Sequence, residues 1–153
     1  MKANVMDTIQ GKLPSQAKQM TSVDILRKAL PEHKTKMPEE MMLNIIGARL
    51  ENPKRSVVQI GNTVFLTYRP APGVVEFDTY TVENKKNLTN SMSGFFKFLK
   101  NQNIKKATTT DEPLYVDVTR EAARIAGTKV NVGQKTEKVD GKIRPVYAFE
   151  VTL

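Results

Sequence analysis

The stretch that decides the fold is residues 56–82, which read SVVQIGNTVFLTYRPAPGVVEFDTYTV. Short runs rich in Val, Ile, Phe, Thr and Tyr make up this stretch, and two breaks separate them, at Gly61-Asn62 and at the Pro-Ala-Pro-Gly of residues 70–73. Such runs indicate strands, and a short Gly-Asn break between two of them indicates a hairpin. We therefore predict a three-strand meander whose third strand runs over residues 74–82.

Helical periodicity precedes the meander. Ser22 can cap a short helix that Pro31 stops, and a second helix begins near Pro38 and ends at Asn52-Pro53. The expected apolar stripe of the second helix is Met42, Ile45, Ile46 and Leu50. Residues 1–20 lack clear periodicity, so we predict an N-terminal arm over 1–20 and a single domain over 21–153.

Elements of both types follow the meander. Leu88, Met92, Phe95, Phe96 and Leu99 recur at helical spacing, and they are followed by a short strand over residues 106–109. Asp111 is the expected N-cap of a further helix, and Gly127 is its expected left-handed stop. The core face predicted for that helix is Leu114, Val118, Ala122 and Ile125.

A long hairpin closes the chain. Its strands are predicted over residues 130–139 and 143–153, with the turn at Asp140-Gly141 and an edge or bulge at Pro145. Together these elements predict an α/β (α+β) fold with a mixed, mostly antiparallel central sheet and helices on both faces.

Composition excludes several kinds of site. The 153 residues include no Cys, which rules out disulfides, thiolate nucleophiles and cysteine-held metals. His33 is the only histidine, and it lies between two predicted helices, where a solvated loop side chain is expected. We predict no metal site and no intact catalytic site.

The sequence also predicts the compartment in which the protein is located. Polar residues interrupt the segment from Val5 to Lys12, so it does not resemble a signal peptide, and no stretch is long and apolar enough to span a bilayer. We therefore expect the virion or the host cytoplasm, and no membrane partner.

The chain is basic, with a formal net charge of +8. A candidate interaction surface, called here the lysine surface, consists of Lys85, Lys86, Lys97, Lys100, Lys105 and Lys106. Such charge favours an acidic protein surface, other virion proteins within an oligomeric assembly, or nucleic acid as partners.

Two features could carry chemistry. Glu76 and Asp78 share one face of the third strand, about 7 Å apart, as acid–base carboxylates could, although a solvated strand face is the favoured interpretation. The turn over residues 83–87 precedes a helix N-terminus, which can bind an anion. The two commonest glycine-rich nucleotide motifs are absent.

The order of elements resembles the GCN5-related N-acetyltransferase (GNAT) fold, with residues 5–13 as the only candidate for its first strand. The resemblance implies a glycine-rich pyrophosphate loop at residues 82–90, which contain no glycine, and a tyrosine four residues before Gly127, where Ala123 stands. It implies that a general base can lie on the strand of Glu76 and Asp78. The chain resembles most closely the acetyltransferase-like proteins of short-tailed phage particles.

These observations lead to one predicted function and two alternatives. The prediction is a non-catalytic structural or adaptor protein of a phage virion, with no cofactor and no measurable affinity for acetyl-CoA. The first alternative is a divergent acetyl-CoA-dependent N-acetyltransferase, with cofactor at residues 82–90. The second is a basic accessory protein that binds nucleic acid.

Overall fold

The computed structural model describes residues 20–29, 44, 47–48, 51–111 and 115–153. Its helices and strands are α1 (Ser22–Ala29), β1 (Arg55–Ile60), β2 (Thr63–Ala71), β3 (Val74–Thr81), α2 (Lys85–Asn101), β4 (Lys106–Asp111), α3 (Val116–Ala126), β5 (Lys129–Val139) and β6 (Lys142–Thr152). The predicted arm, apart from Met20, lies outside the described residues, as do the candidate first strand and His33. Of the predicted second helix, the described residues 44, 47 and 48 are helical.

The six strands form one sheet in the order β1-β2-β3-β4-β6-β5. Neighbouring strands are antiparallel except β3 and β4, which run parallel and are connected through α2. This confirms the predicted mixed, mostly antiparallel sheet, the three-strand meander and the closing hairpin.

Helices cover both faces of the sheet. Val57 and Val64 pack with α1, whereas their chain neighbours Val58 and Phe65 belong to the larger core beneath α2 and α3. Successive side chains of a strand point to opposite faces, so the two clusters lie on opposite sides of the sheet. No helix within the described ranges is long and apolar enough to cross a membrane.

Three phenylalanines form the centre of the larger core. Phe95 of α2 stacks on Phe65 of β2 with ring centroids 4.1 Å apart, and it meets Phe77 of β3 edge-on at 5.1 Å. All three side chains are buried. The helix therefore packs on the meander through aromatic contacts, which add to the energy of burial.

Two predictions about α3 are wrong. Ile125 is 38% exposed, because α3 buries small side chains, among them Ala122, Ala123 and Ala126. Asp111 is the last residue of β4, where it pairs with Tyr147 of β6, and it does not cap the helix. Gly127 ends α3 in the left-handed conformation, with φ of 71°, as predicted.

The β5–β6 hairpin extends past the rest of the sheet. β6 pairs with β4 only over residues 147–152, whereas it pairs with β5 over residues 142–152. Pro145 lies in the outer part, where β6 has β5 as its partner strand. A proline is compatible with that position, since no second ladder requires its missing N–H.

A buried glutamine joins the start of α1 to the first hairpin. Gln59 is fully buried, and its Oε1 accepts a hydrogen bond from Ser22 Oγ at 2.6 Å. Its Nε2 donates to the carbonyl oxygens of Met20 at 2.6 Å and Gly61 at 3.1 Å. Every polar atom of the side chain is thus paired.

Replacing this glutamine with an apolar residue tests the network. We expect Gln59→Leu to lower the free energy of unfolding by about 1–3 kcal/mol, because Ser22 and two carbonyls lose their partner in a buried place. Urea denaturation followed by circular dichroism measures the change. Asn90→Leu on the exposed face of α2 is the control, and equal stabilities of the two variants would contradict the prediction.

Candidate active site

The parallel strands β3 and β4 separate soon after they meet. Their pairing covers residues 74–76 and 106–108 and ends at the Glu76–Thr108 pair. Beyond it, β3 continues along β2 to Thr81 and β4 continues along β6 to Asp111. A wedge-shaped gap therefore opens toward the carboxyl ends of the two strands, the place where α/β sheets usually bind ligands.

Along the gap, β3 has a neighbouring strand on one side only within the described residues. Alternate residues of a strand direct N–H and C=O groups toward each neighbouring strand. Among the described residues, positions 77–81 of β3 pair with β2 on one side and with no strand on the other. An extended ligand that carries amide groups could bond to this edge in the way that a strand does.

The turn after β3 leads directly into the N-terminus of α2. Asn84 caps the helix, since its side chain accepts a hydrogen bond from the Asn87 N–H at 2.8 Å. The amides of Lys85 and Lys86 have no carbonyl partner within the helix, because α2 begins at Lys85. They can bind an anion, and the positive end of the helix dipole favours it.

This turn does not require glycine. Asn84 is extended, with φ of −70° and ψ of 170°. The residues outside glycine that have positive φ in the described chain are Asn103 and Asp140, and neither belongs to the turn. The glycine-free sequence of residues 82–90 therefore leaves the helix N-terminus unstrained.

The first turn of α3 lies beside the first turn of α2. Lys85 Nζ is 3.8 Å from Asp117 Oδ2, and both side chains are mostly exposed. Since α2 follows β3 and α3 follows β4, the pair spans the wide end of the wedge. Such an exposed pair contributes little to stability.

A buried hydroxyl lies on β3 beside the gap. Thr79 is 8% exposed, and its Oγ1 has no hydrogen-bond partner within the described part of the chain. It shares a face of β3 with Phe77, on the side of α2 and α3. A buried hydroxyl without a partner is costly, so a ligand in the wedge could satisfy it.

The two predicted carboxylates lie on the opposite face of the same strand. Glu76 belongs to the last pair of the parallel ladder, and Asp78 lies two residues further along β3, at the opening. Both are exposed. Glu76 and Asp78 thus border the wedge from the side of α1, whereas Thr79 and the helix N-termini border it from the other.

The structure divides the lysine surface into two groups. Lys85 and Lys86 lie at the wedge, whereas Lys97 and Lys100 lie about 16 Å or more along α2. Lys105 and Lys106 lie past the end of the helix, at the narrow end of the wedge. The amide of Lys105 bonds to Gly73 O, and the side chain of Lys106 pairs with Glu150 at 3.5 Å.

Ala123 cannot supply a proton, as its residue type already indicated, and it is buried in α3. The sequence analysis missed Tyr115, which follows β4 and precedes α3 at the wide end of the wedge. Tyr115 is half-buried against the larger core. The signal that could have identified it is its place at the carboxyl end of β4, not its distance from Gly127.

The ionisable pair of Glu121 and Arg124 lies away from the wedge. A hydrogen bond from Arg124 lowers the pKa of Glu121, and the same contact raises the pKa of Arg124. The pair lies on the exposed surface of α3, one turn past Asp117. No group of three or more His, Asp or Glu side chains in the described residues could hold a metal ion.

The fold is similar to solved structures of acetyltransferases. A ribosomal-protein-alanine N-acetyltransferase from Brucella melitensis is 10% identical, with a TM-score of 0.59, over 89% of this chain and 98% of that one. Spermidine N-acetyltransferase from Vibrio cholerae is 8% identical, with a TM-score of 0.62, over 88% and 93%. AAC(6')-Ib in complex with paromomycin and acetyl-CoA is 14% identical, with a TM-score of 0.56, over 88% and 91%.

No protein-family model matches the sequence, and no curated protein matches it significantly. The structural likenesses establish the GNAT fold that the order of elements suggested. They contradict the prediction of a non-catalytic virion component, because the similar structures are those of acetyltransferases. The described fold gives no support to the resemblance to phage virion proteins.

Proposed function

We propose that this chain, which has the GNAT fold, is an N-acetyltransferase that transfers the acetyl group of acetyl-CoA to an amine. The observation that carries the proposal is the wedge between β3 and β4, with a buried hydroxyl on its wall that has no partner among the described residues and a helix N-terminus at its wide end. The similar acetyltransferase structures support it. It replaces the expectation that a glycine-free turn excludes acetyl-CoA, because this turn has no backbone conformation that needs glycine.

The residues around the wedge fit the two ends of acetyl-CoA. The amides of Lys85 and Lys86 and their side chains would hold the pyrophosphate, and the open edge of β3 would bond to the amides of the pantetheine arm. The hydroxyl of Thr79 would gain a partner in the bound arm. Binding in this way requires no residue of the described turn to move to another region of φ and ψ.

Acetyl-CoA supplies a thioester whose carbonyl carbon is attacked by an uncharged amine, with the sulfur leaving as a thiolate. The chain must therefore take a proton from the ammonium form of the acceptor, and Glu76 or Asp78 would accept it, directly or through a water. Tyr115, at the same end of the sheet, is a candidate to protonate the thiolate. The acceptor would approach from the α1 face, opposite the cofactor.

Calorimetric titration of the purified chain with acetyl-CoA tests cofactor binding. We expect micromolar affinity, and we expect the double variant Lys85→Ala/Lys86→Ala to bind about tenfold more weakly, because two charges and their contacts are lost at the helix N-terminus. The matched control is Lys97→Ala/Lys100→Ala, which removes the same charge from the distant part of α2.

Two results would contradict the proposal. One is the absence of binding up to about 1 mM acetyl-CoA, an affinity of only about 4 kcal/mol. The other is an equal loss of affinity in both double variants, which would indicate general attraction to a basic protein.

Turnover is then assayed with a panel of primary amines: spermidine, paromomycin and a peptide that begins with alanine.

A further inference from the structure

We propose that Glu83 is a positioning residue, whose carboxylate fixes the turn that would bind the cofactor phosphates. The inference rests on the proposed function for its cofactor, but the contacts that carry it belong to the free protein. Glu83 lies between β3 and the N-cap of α2, two residues before Lys85. Three segments that are distant in sequence meet at its side chain.

The carboxylate accepts two hydroxyl hydrogen bonds on one oxygen. Thr63 Oγ1 of β2 donates to Glu83 Oε1, and Ser91 Oγ of α2 donates to the same atom at 2.7 Å. Thr63 and Ser91 are both buried. Glu83 thus joins the second strand, the turn and the second turn of the helix through one partly buried group.

The direction of the remaining bonds follows from counting protons. Thr63 has one hydroxyl proton and gives it to Glu83, so in the 2.6 Å contact between Thr63 and Thr81 the donor must be Thr81. Thr81 Oγ1 in turn accepts the backbone N–H of Glu83 at 3.0 Å. Three bonds therefore form a closed circuit that leaves Glu83 at its amide, passes through Thr81 and Thr63, and returns to Glu83 at its carboxylate.

The circuit orients the backbone at the start of α2. It uses the amide of Glu83, and the neighbouring amide of Val82 bonds to Asn62 O at 3.3 Å. The next amides along the chain, those of the cap residue Asn84 and of Lys85 and Lys86, have no carbonyl partner within the helix. Fixing the two residues before the cap therefore fixes where these amides point.

Gly61 makes room for this arrangement. A Cβ at Gly61 would lie 2.8 Å from Glu83 Oε2 and 2.9 Å from Ser91 Oγ, closer than such atoms can approach. The first hairpin turn thus contacts the carboxylate with its backbone alone. In the family this chain resembles, glycines in the loop let its amides approach phosphate; here a partly buried carboxylate orders a loop that has none.

The test compares Glu83→Ala and Glu83→Gln in the full chain. Alanine removes both acceptors, whereas the glutamine Oε1 can still accept from Thr63 and Ser91. In the free protein we expect the amides of Asn87 and Leu88, which bond to Asn84, to exchange hydrogen about tenfold faster in Glu83→Ala and within about threefold of the parent in Glu83→Gln. The amides of α3 should exchange at the parent rate in both variants.

With the cofactor, the KM for acetyl-CoA should rise about tenfold in Glu83→Ala while kcat changes less than about threefold, since the chemistry lies elsewhere. Glutamine should restore the KM. Glu121→Gln, which removes a carboxylate from the exposed face of α3, is the matched control and should behave as the parent.

The outcomes separate the two proposals. Unchanged exchange at Asn87 and Leu88 in Glu83→Ala, or an equal increase throughout the chain, would overturn the positioning role. Faster exchange confined to the turn, in a protein that binds no acetyl-CoA, would keep the orienting role of Glu83 and overturn the proposed function. Faster exchange with an unchanged KM would show that the ordered turn does not serve the cofactor, and would overturn this inference alone.

Discussion

Phe95→Ala is expected to lower the free energy of unfolding by about 3–5 kcal/mol, enough to unfold a marginal domain. Phe95 is fully buried, stacks on Phe65 and meets Phe77 edge-on, so its removal leaves a cavity and breaks two ring contacts. Both contacts join α2 to the meander. Urea denaturation monitored by circular dichroism would give the change in the denaturation midpoint, with the dependence of the unfolding free energy on urea unchanged.

Phe98→Ala is the matched control for this prediction. Phe98 belongs to the same helix, but its side chain is only partly buried against the core. We expect it to cost less than about half as much as Phe95→Ala, because less apolar area returns to water. An unchanged midpoint for Phe95→Ala, or a larger loss for Phe98→Ala, would mean that the helix packs through another face.

Removing the catalytic base should have the largest effect on activity. We expect either Glu76→Gln or Asp78→Asn to lower kcat/KM by about 10²–10⁴-fold for the amine of the panel that reacts fastest. The other variant should lose much less.

Two measurements distinguish loss of the base from a general effect of substitution on cofactor binding or folding. Affinity for acetyl-CoA should stay within about threefold of the parent in both variants, because the carboxylates lie on the face of β3 away from the helix N-termini. Thr110→Val, on the exposed part of β4, is a control that leaves both carboxylates in place. If both variants acetylate the amine as fast as the parent, neither carboxylate is the base.

Local pattern was sufficient for most of the fold. The strand-like runs and the Gly61-Asn62 break predict the meander, and the spacing from Leu88 to Leu99 predicts α2, because strand-forming residue types, a turn dipeptide and an apolar stripe are all local features. The face of α3 was misplaced at Ile125. The sequence analysis gave weight to the larger apolar residue, whereas α3 approaches its neighbours through alanines. Asp111 belongs to a strand because β4 pairs with β6, and no local sequence pattern predicts pairing between segments so far apart in the chain.

The site was less predictable than the fold. The sequence identified Glu76, Asp78 and the turn after β3, because residue type and a following helix are local features. The wedge depends on β3 and β4 keeping their outer partners while they leave each other, which only the whole sheet determines. Likewise the partners of Glu83 come from Thr63 and Ser91, which are 20 and 8 residues away in sequence.

The outer part of the β5–β6 hairpin is less strongly coupled to the unfolding of the rest of the sheet. Where the described pairing of β4 with β6 ends, the ribbon has two strands among the described residues and mostly exposed side chains, including Ile143 at 74%. A two-stranded ribbon is only marginally stable by itself. It can therefore open and close as a local unit while the wedge and the phenylalanine core stay folded. Its turn at Asp140-Gly141 is accordingly a place where an inserted peptide would cost the domain little free energy, because closing a longer loop there disturbs no second ladder.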